Sequence, residues 1–218
     1  MEINRLIDHT YLKAFGTKKE IDVLLEEAVR HQFKSVCIQP CFVKYAHEKL
    51  ERTGVLVCTV IGFPLGTNTT ETKVFETLNA VANGADEIDM VINIGEMKSG
   101  NLAYVQAEID SVVRAAAGKL VKVIIETCYL TKEEIAAASE IVGKTGAAFV
   151  KTSTGFGPAG ATPEDVRLMK EHANGKEVKA AGGVRTKEDL DRMIEAGATR
   201  IGTSNGVALV QNGTGTGY

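Results

Sequence analysis

The chain has 218 residues, 44% of them hydrophobic, with 22 glycines and 4 prolines, enough apolar material to bury a full core in one domain of ordinary size. A net charge of −3 gives no basic footprint for nucleic acid, so small-molecule or protein partners are expected. No apolar run approaches the ~18 residues that span a bilayer, and MEINRLIDHT lacks the apolar core of a signal peptide, so no membrane contact is expected and the cytoplasm is the expected compartment.

In chain order, strand and helix signals alternate. Leu6–Thr10 reads as a first strand, followed by a helix over Lys19–His31 with Ile21, Leu24, Leu25, Ala28 and Val29 on one face. Ser35–Gln39 is a second strand closed by Pro40, and Cys41–Glu51 a second helix. Val55–Phe63 is a third strand running into the loop Gly62–Gly66, GFPLG. Thr70–Ala82 is helical, with Val74, Leu78 and Val81 in step, and the fourth strand is Asp86–Asn93. Leu102–Ala117 is the longest helix, Leu120–Glu126 a fifth strand, and Thr131 with Glu134 a capping box that opens the next helix.

The sixth strand, within Ala147–Gly157, carries Lys151. Thr162 and Pro163 are a helix start, Glu177–Ala181 a seventh strand, Thr186 the cap of a further helix, and Arg200–Thr203 an eighth strand. Gly206–Val210 is one last helical turn, and Gln211–Tyr218 a glycine-rich tail expected to be mobile outside a domain of residues 1–210. Eight strands, each followed by a helix, describe a single-domain α/β fold, the (β/α)8 or TIM barrel. A doubly wound sheet would need a glycine fingerprint after the first strand, and none is there.

Strand parity places the polar residues. Outward side chains pack under the helices and are apolar, so the alternate ones face the axis. Val36 and Ile38 turn Cys37 inward; Ile88, Met90 and Ile92 turn Asp89 inward; Val121, Val123 and Ile125 turn Lys122 and Glu126 inward. Val150 leaves Phe149, Lys151 and Ser153 on the axis, Val178 and Ala180 leave Lys179, and Asp8 faces in beside Ile7.

Two lysines on adjacent strands, with a carboxylate near, have a chemical use. A free lysine with a pKa near 10.4 is an amine in only about 1 molecule in 2,500 at pH 7. Bringing that value near 7 costs roughly 4–5 kcal/mol, which desolvation and a neighbouring ammonium supply. Such an amine attacks a carbonyl to form a Schiff base, and a carboxylate beside a second lysine passes protons. A structural ion network filling the axis is the competing explanation, and parity does not choose between them or between Lys151 and Lys179 as nucleophile.

Glycine-rich loops favour the enzyme. Gly155 and Gly157, Gly182 and Gly183, and Ser204, Asn205 and Gly206 follow the last three strands, where barrels often hold phosphate. Gly202, in the eighth strand, is expected in the same phosphate site, and Thr152, beside Lys151, with Asp8 and Cys37, is expected at the substrate.

Cys37, Cys41, Cys58 and Cys128 lack CxxC spacing and read as reduced, buried thiols. The four histidines form no HxxxH or HxH pair, so no metal site is expected.

LIDHT at Leu6–Thr10, VCIQP at Val36–Pro40, GFPLG at Gly62–Gly66, EIDMVIN at Glu87–Asn93, KVIIET at Lys122–Thr127, KTSTGF at Lys151–Phe156 and KAAGGVR at Lys179–Arg185 occur in one order along nearly the whole chain. With these segments the sequence closely resembles the class I, Schiff-base deoxyribose-phosphate aldolases. The resemblance implies that Lys151 forms the Schiff base, that Asp89 and Lys179 relay protons, that Cys37 lies near the substrate and that Tyr218 can fold over the site. It implies reversible cleavage of 2-deoxy-D-ribose 5-phosphate to D-glyceraldehyde 3-phosphate and acetaldehyde, without cofactor. Another lysine-dependent phosphosugar aldolase, a transaldolase, and a non-catalytic phosphosugar-binding barrel are the alternatives. The family often has two serines where this chain has Ser204 and Asn205, which removes one hydroxyl from the expected phosphate site. A homo-oligomer is allowed, and Lys122 and Glu126 are expected as a buried pair steadying Asp89 or Lys151.

Overall fold

Short β-branched runs, each followed by a capped amphipathic segment, bury both faces of every strand only if the strands close into a ring under a helical layer. The computed structural model describes residues 2–211 and 213–215, and its strands close in that way. They are β1 Ile7–Tyr11, β2 Ser35–Ile38, β3 Leu56–Ile61, β4 Glu87–Val91, β5 Leu120–Ile124, β6 Phe149–Lys151, β7 Glu177–Ala181 and β8 Arg200–Thr203. All pair in parallel, in sequence order, and β8 pairs back onto β1 through Asp8 and Gly202. The closed ring excludes the doubly wound sheet.

The outer helices are α1 Lys18–Arg30, α2 Val43–Leu50, α3 Thr70–Ala82, α4 Ile94–Lys98, α5 Leu102–Ala115, α6 Lys132–Lys144, α7 Pro163–His172, α8 Lys187–Glu195 and α9 Gly206–Val210. Thr17, Thr131 and Thr186 each complete a capping box, with Glu20, Glu134 and Asp189. The sequence assigns no element to α4, a single turn that Asn93 caps by accepting from Glu96 N at 3.1 Å. Pro40–Phe42 is a 3-10 turn, so α2 begins two residues later than expected.

Two apolar clusters follow from the parity of the strands. The large one lies between ring and helices and includes Val36, Ile88, Met90, Val121, Val123, Val150, Val178 and Ile201. The small one, Leu12, Cys37, Cys58 and Val60 with Phe63 packed against it, comes from the alternate residues of β2 and β3 and the end of β1. Apart from Asp8 of β1 and Ser35 of β2, the interior is therefore apolar on its β1–β3 side, and its charged side chains come from β4, β5, β6, β7 and β8.

Three surface expectations change. On α3 the buried face is Lys73, Thr77 and Ala80, not Val74, Leu78 and Val81; Leu78 is 52% exposed, because the inner side is used to hold an ion pair. Val29 is exposed on α1. Cys41 is exposed and Cys128 half-buried, so only Cys37 and Cys58 are the buried thiols expected of all four. Tyr218 and half of the expected mobile tail lie outside the described residues; within it, Gly213 N donates to Ala208 O at 2.8 Å and Gly215 N to Arg185 O at 2.9 Å.

Candidate active site

Asp89, at the centre of β4, is fully buried and gathers three lysines from three strands. Lys151 of β6 and Lys179 of β7 donate to its Oδ2 at 2.8 and 2.7 Å, and Lys122 of β5 donates to Oδ1 at 2.8 Å. The register makes this possible: Asp89 pairs with Lys122, and Lys151 with Lys179, so all four share one parity and point to the axis.

A second layer lies beneath. Asp8 Oδ2 is 2.5 Å from Lys179 Nζ and 3.7 Å from Lys122 Nζ. Its Oδ1 accepts from Ser35 Oγ at 2.7 Å and from Arg200 Nη1 at 2.8 Å. Glu87 Oε2 takes both Lys122 Nζ at 2.6 Å and Arg200 Nη1 at 2.9 Å. The Arg200 guanidinium lies 5.2 Å from the Phe149 ring centroid.

The lysines differ in what surrounds them. Burial alone would lower Lys179, but Asp8 and Asp89 outweigh it and hold its ammonium above the ordinary lysine value. Lys122 is held up in the same way by Asp89, Asp8 and Glu87 against a similar burial penalty. Both stay charged. Among the described residues Lys151 contacts one carboxylate only, Asp89, and it is the one of the three lysines with any surface open to solvent, 3% against 0%.

Asp89 and Asp8 are both pressed well below the usual carboxylate range: burial would raise them, and the surrounding cations overcome it. Cys58 donates to Asp89 Oδ1 at 3.2 Å and burial pushes its thiol up, while the interaction with Cys58 pushes the Cys37 thiol down. Cys37, Cys58 and Asp89 bring donor atoms within 4.8 Å of one another. Lysines already occupy both oxygens of that carboxylate, and the charged Lys122 and Lys179 oppose an added cation.

Other expected residues are placed less simply. Asp8 sits below the lysines with both oxygens engaged, so it acts on Lys179 rather than reaching the barrel mouth. The Thr152 hydroxyl accepts from Ala181 N and donates to Ala181 O, which ties β6 to β7 instead of facing the cavity. Lys122 and Glu126 are not a pair. Glu126 stands in a left-handed conformation, φ 53°, and turns to the loop after β6, accepting from Thr154 N at 3.2 Å and from the Thr154 hydroxyl. The Ser153 hydroxyl is buried with no hydrogen-bond partner among the described residues.

The glycine loops do converge. A Cβ on Gly182 would meet Gly160 Cα at 3.0 Å and Gly155 Cα at 3.8 Å, so the β6–α7 and β7–α8 loops touch backbone to backbone. Gly155, Gly182 and Gly183 all have φ between 79° and 87°, which suits glycine. Gly202 lies deeper, where a Cβ would be 3.1 Å from Lys179 Cε; it makes room for that side chain rather than forming a loop. Ser204 and Asn205 lead from β8 into α9 at the same end of the barrel.

Glu87, Arg200 and Cys58 are the site residues that the sequence reading missed. Parity would have found all three: Glu87 is two residues from Asp89, Arg200 precedes the outward Ile201, and Cys58 lies between Val57 and Thr59.

The model of the DeoC/LacD family aldolases matches residues 4–213. The chain belongs to that family. Deoxyribose-phosphate aldolase of Staphylococcus saprophyticus is 59% identical to this DeoC/LacD aldolase over 97% of the chain and 96% of the relative. The solved structure of an aldolase named QR15 is 44% identical, with a TM-score of 0.92, covering 96% of this chain and 94% of that one. The tetrameric deoxyribose phosphate aldolase of Aeropyrum pernix is 32% identical, with a TM-score of 0.90 over 96% of this chain and 89% of that one. Among the described residues no helix is long and apolar enough to cross a membrane.

Proposed function

We propose that this aldolase reversibly cleaves 2-deoxy-D-ribose 5-phosphate to D-glyceraldehyde 3-phosphate and acetaldehyde, with Lys151 as the Schiff-base nucleophile. The observation that carries the reading is the inequality of the lysines around Asp89. Lys122 and Lys179 are each fixed as ammonium by two or more carboxylates, which leaves Lys151, at the open end, to act as the amine.

The Lys151 nitrogen adds to the C1 carbonyl, and loss of water leaves an iminium. Removal of the proton from the C3 hydroxyl breaks the C2–C3 bond; C3 becomes the aldehyde of glyceraldehyde 3-phosphate and the bonding pair moves through C2 and C1 to nitrogen as an enamine. Protonation at C2 and addition of water release acetaldehyde and return the amine. Asp89 and Lys179, 2.7 Å apart and next to Lys151, would carry these protons. The iminium is itself the electron sink, so the reaction calls for no metal and no cofactor.

Substrate phosphate would rest on the loops of Gly155, Gly182, Gly183, Ser204 and Asn205, with Tyr218 closing from the tail. Cys37, whose sulfur lies within 4.8 Å of an Asp89 oxygen, would line the aldehyde end. The cytoplasm suits the free thiols of Cys37 and Cys58. A homo-oligomer suits exposed Phe75 and Leu78 on α3 and the tetramer named for the Aeropyrum relative.

Borohydride reduction with acetaldehyde, followed by site-resolved mass spectrometry, tests the reading. An ethyl group on Lys151, with release of acetaldehyde from deoxyribose phosphate that a chelator does not slow, is expected. No adduct, as from a silent phosphosugar-binding barrel, or an adduct on Lys179, overturns it.

A further inference from the structure

The bonded network on the axis contains four cations, Lys122, Lys151, Lys179 and Arg200, and three carboxylates, Asp8, Glu87 and Asp89. One cation is in excess, and Arg200 cannot relieve it because a guanidinium does not lose its proton in proteins. Arg200 also takes a share of both lower carboxylates, through one Asp8 oxygen and both Glu87 oxygens. Lys122 and Lys179 must therefore lean on Asp89, the carboxylate that Lys151 also uses.

We propose that Arg200 is a positioning residue for the reaction: by occupying Asp8 and Glu87 from below, it leaves the three lysines one carboxylate short, so that the cluster carries one proton fewer and Lys151 is the amine. The inference rests on Lys151 being the nucleophile. Arg200 itself touches neither Lys151 nor the barrel mouth; it acts through Asp8, Glu87 and the lysines these hold.

Other charged and titratable groups that face the cluster do not change the comparison between variants. Cys37 of β2 and Cys58 of β3 approach Asp89, and Glu126, beyond β5, is bound to Thr154 rather than to a lysine. His9 of β1 points the other way, to Glu27 at 2.7 Å. All four are retained in every variant below.

Removing the guanidinium, as in Arg200→Met, leaves three carboxylates for three lysines. The proton then taken up goes to the stronger base, an amine at about 10.4 rather than a carboxylate at about 4.3. Removing a carboxylate, as in Glu87→Gln, has the opposite effect. The test is the acid limb of kcat/KM against pH for deoxyribose phosphate cleavage, which reports the free enzyme. Arg200→Met should move the limb about one pH unit upward, Glu87→Gln about as far downward, and the double variant back to the parent position. Arg200→Lys, which keeps the charge, should stay near the parent.

If Arg200→Met does not fold, Glu87→Gln and the double variant still decide. Limbs that do not move, move the same way in both single variants, or fail to return in the double variant overturn the inference. A parent enzyme with no borohydride adduct at Lys151 would instead overturn the reading beneath it, so the two failures are distinguishable.

Discussion

Lys73 and Glu108 form an ion pair at 2.7 Å with both side chains completely buried, outside the barrel between α3 and α5. Lys73 Nζ also donates to Val91 O at 2.8 Å, and Glu108 Oε2 accepts from Asn93 N at 2.9 Å, so the pair holds the chain where it leaves β4, just beyond Asp89. Burial lowers Lys73 and raises Glu108, in both cases against the charge of the partner. The pair is thus expensive to form and more expensive to halve. Lys73→Met should cost about 3–5 kcal/mol in urea unfolding, whereas Lys73→Met with Glu108→Leu should recover most of that loss. A double variant no more stable than the single one would show that the backbone contacts, not the unpaired charge, account for the cost.

The carboxylates of the axis set the acid limit of the fold. Asp8 and Asp89 have folded-state values below those of the unfolded chain. A depressed carboxylate contributes stability that is fully present above its unfolded value, about 3.9, and is lost as pH falls through the folded one. Their contribution should be constant from about pH 5 to 7 and decline below about pH 4. Unfolding free energy measured against pH should lose part of that decline in Asp89→Asn, which starts from a lower plateau because three lysines then lack their shared partner.

Glu126 holds the loop that follows Lys151. Its left-handed backbone, costing about 1–3 kcal/mol, is tolerated because the carboxyl is fixed by the amide and hydroxyl of Thr154. Glu126→Ala should lower kcat/KM on the order of 10²-fold through misplacement of the loop. Glu126→Gln, which keeps an acceptor, should stay within about tenfold of the parent. Burial raises this carboxyl, so its charged form is penalised above the folded value. Stability of Glu126→Gln at pH 7 should therefore equal or exceed that of the parent, while activity divides the two variants.

Much of this site was legible because the period of a strand is two. Once Val150 and Val178 were assigned to the helical layer, Lys151 and Lys179 had to meet, and Asp89 followed from Ile88 and Met90. Parity does not distinguish Lys151 from Lys179, because the number of carboxylates that reach each lysine is set across the ring and not along a strand. Arg200 and Glu87 escaped because parity was not carried into β8 or to the start of β4. The α3 face was misread for a physical reason: Val74 and Leu78 have the spacing of a buried stripe, yet the inner positions went to Lys73 and Thr77, whose polar atoms find partners there. Thr152 was misplaced because adjacency to Lys151 in sequence puts it on the opposite face of the strand.

Asp8 and Arg200 are 192 residues apart in the chain and meet at 2.8 Å on the seam where the last strand joins the first. The contact cannot form until the ring is shut, and the charges that govern the lysines are incomplete before then. Acquisition of turnover during refolding is thus a chemical report of the final joining event, and a nascent chain still lacking its eighth strand would be inert however well its earlier strands had assembled.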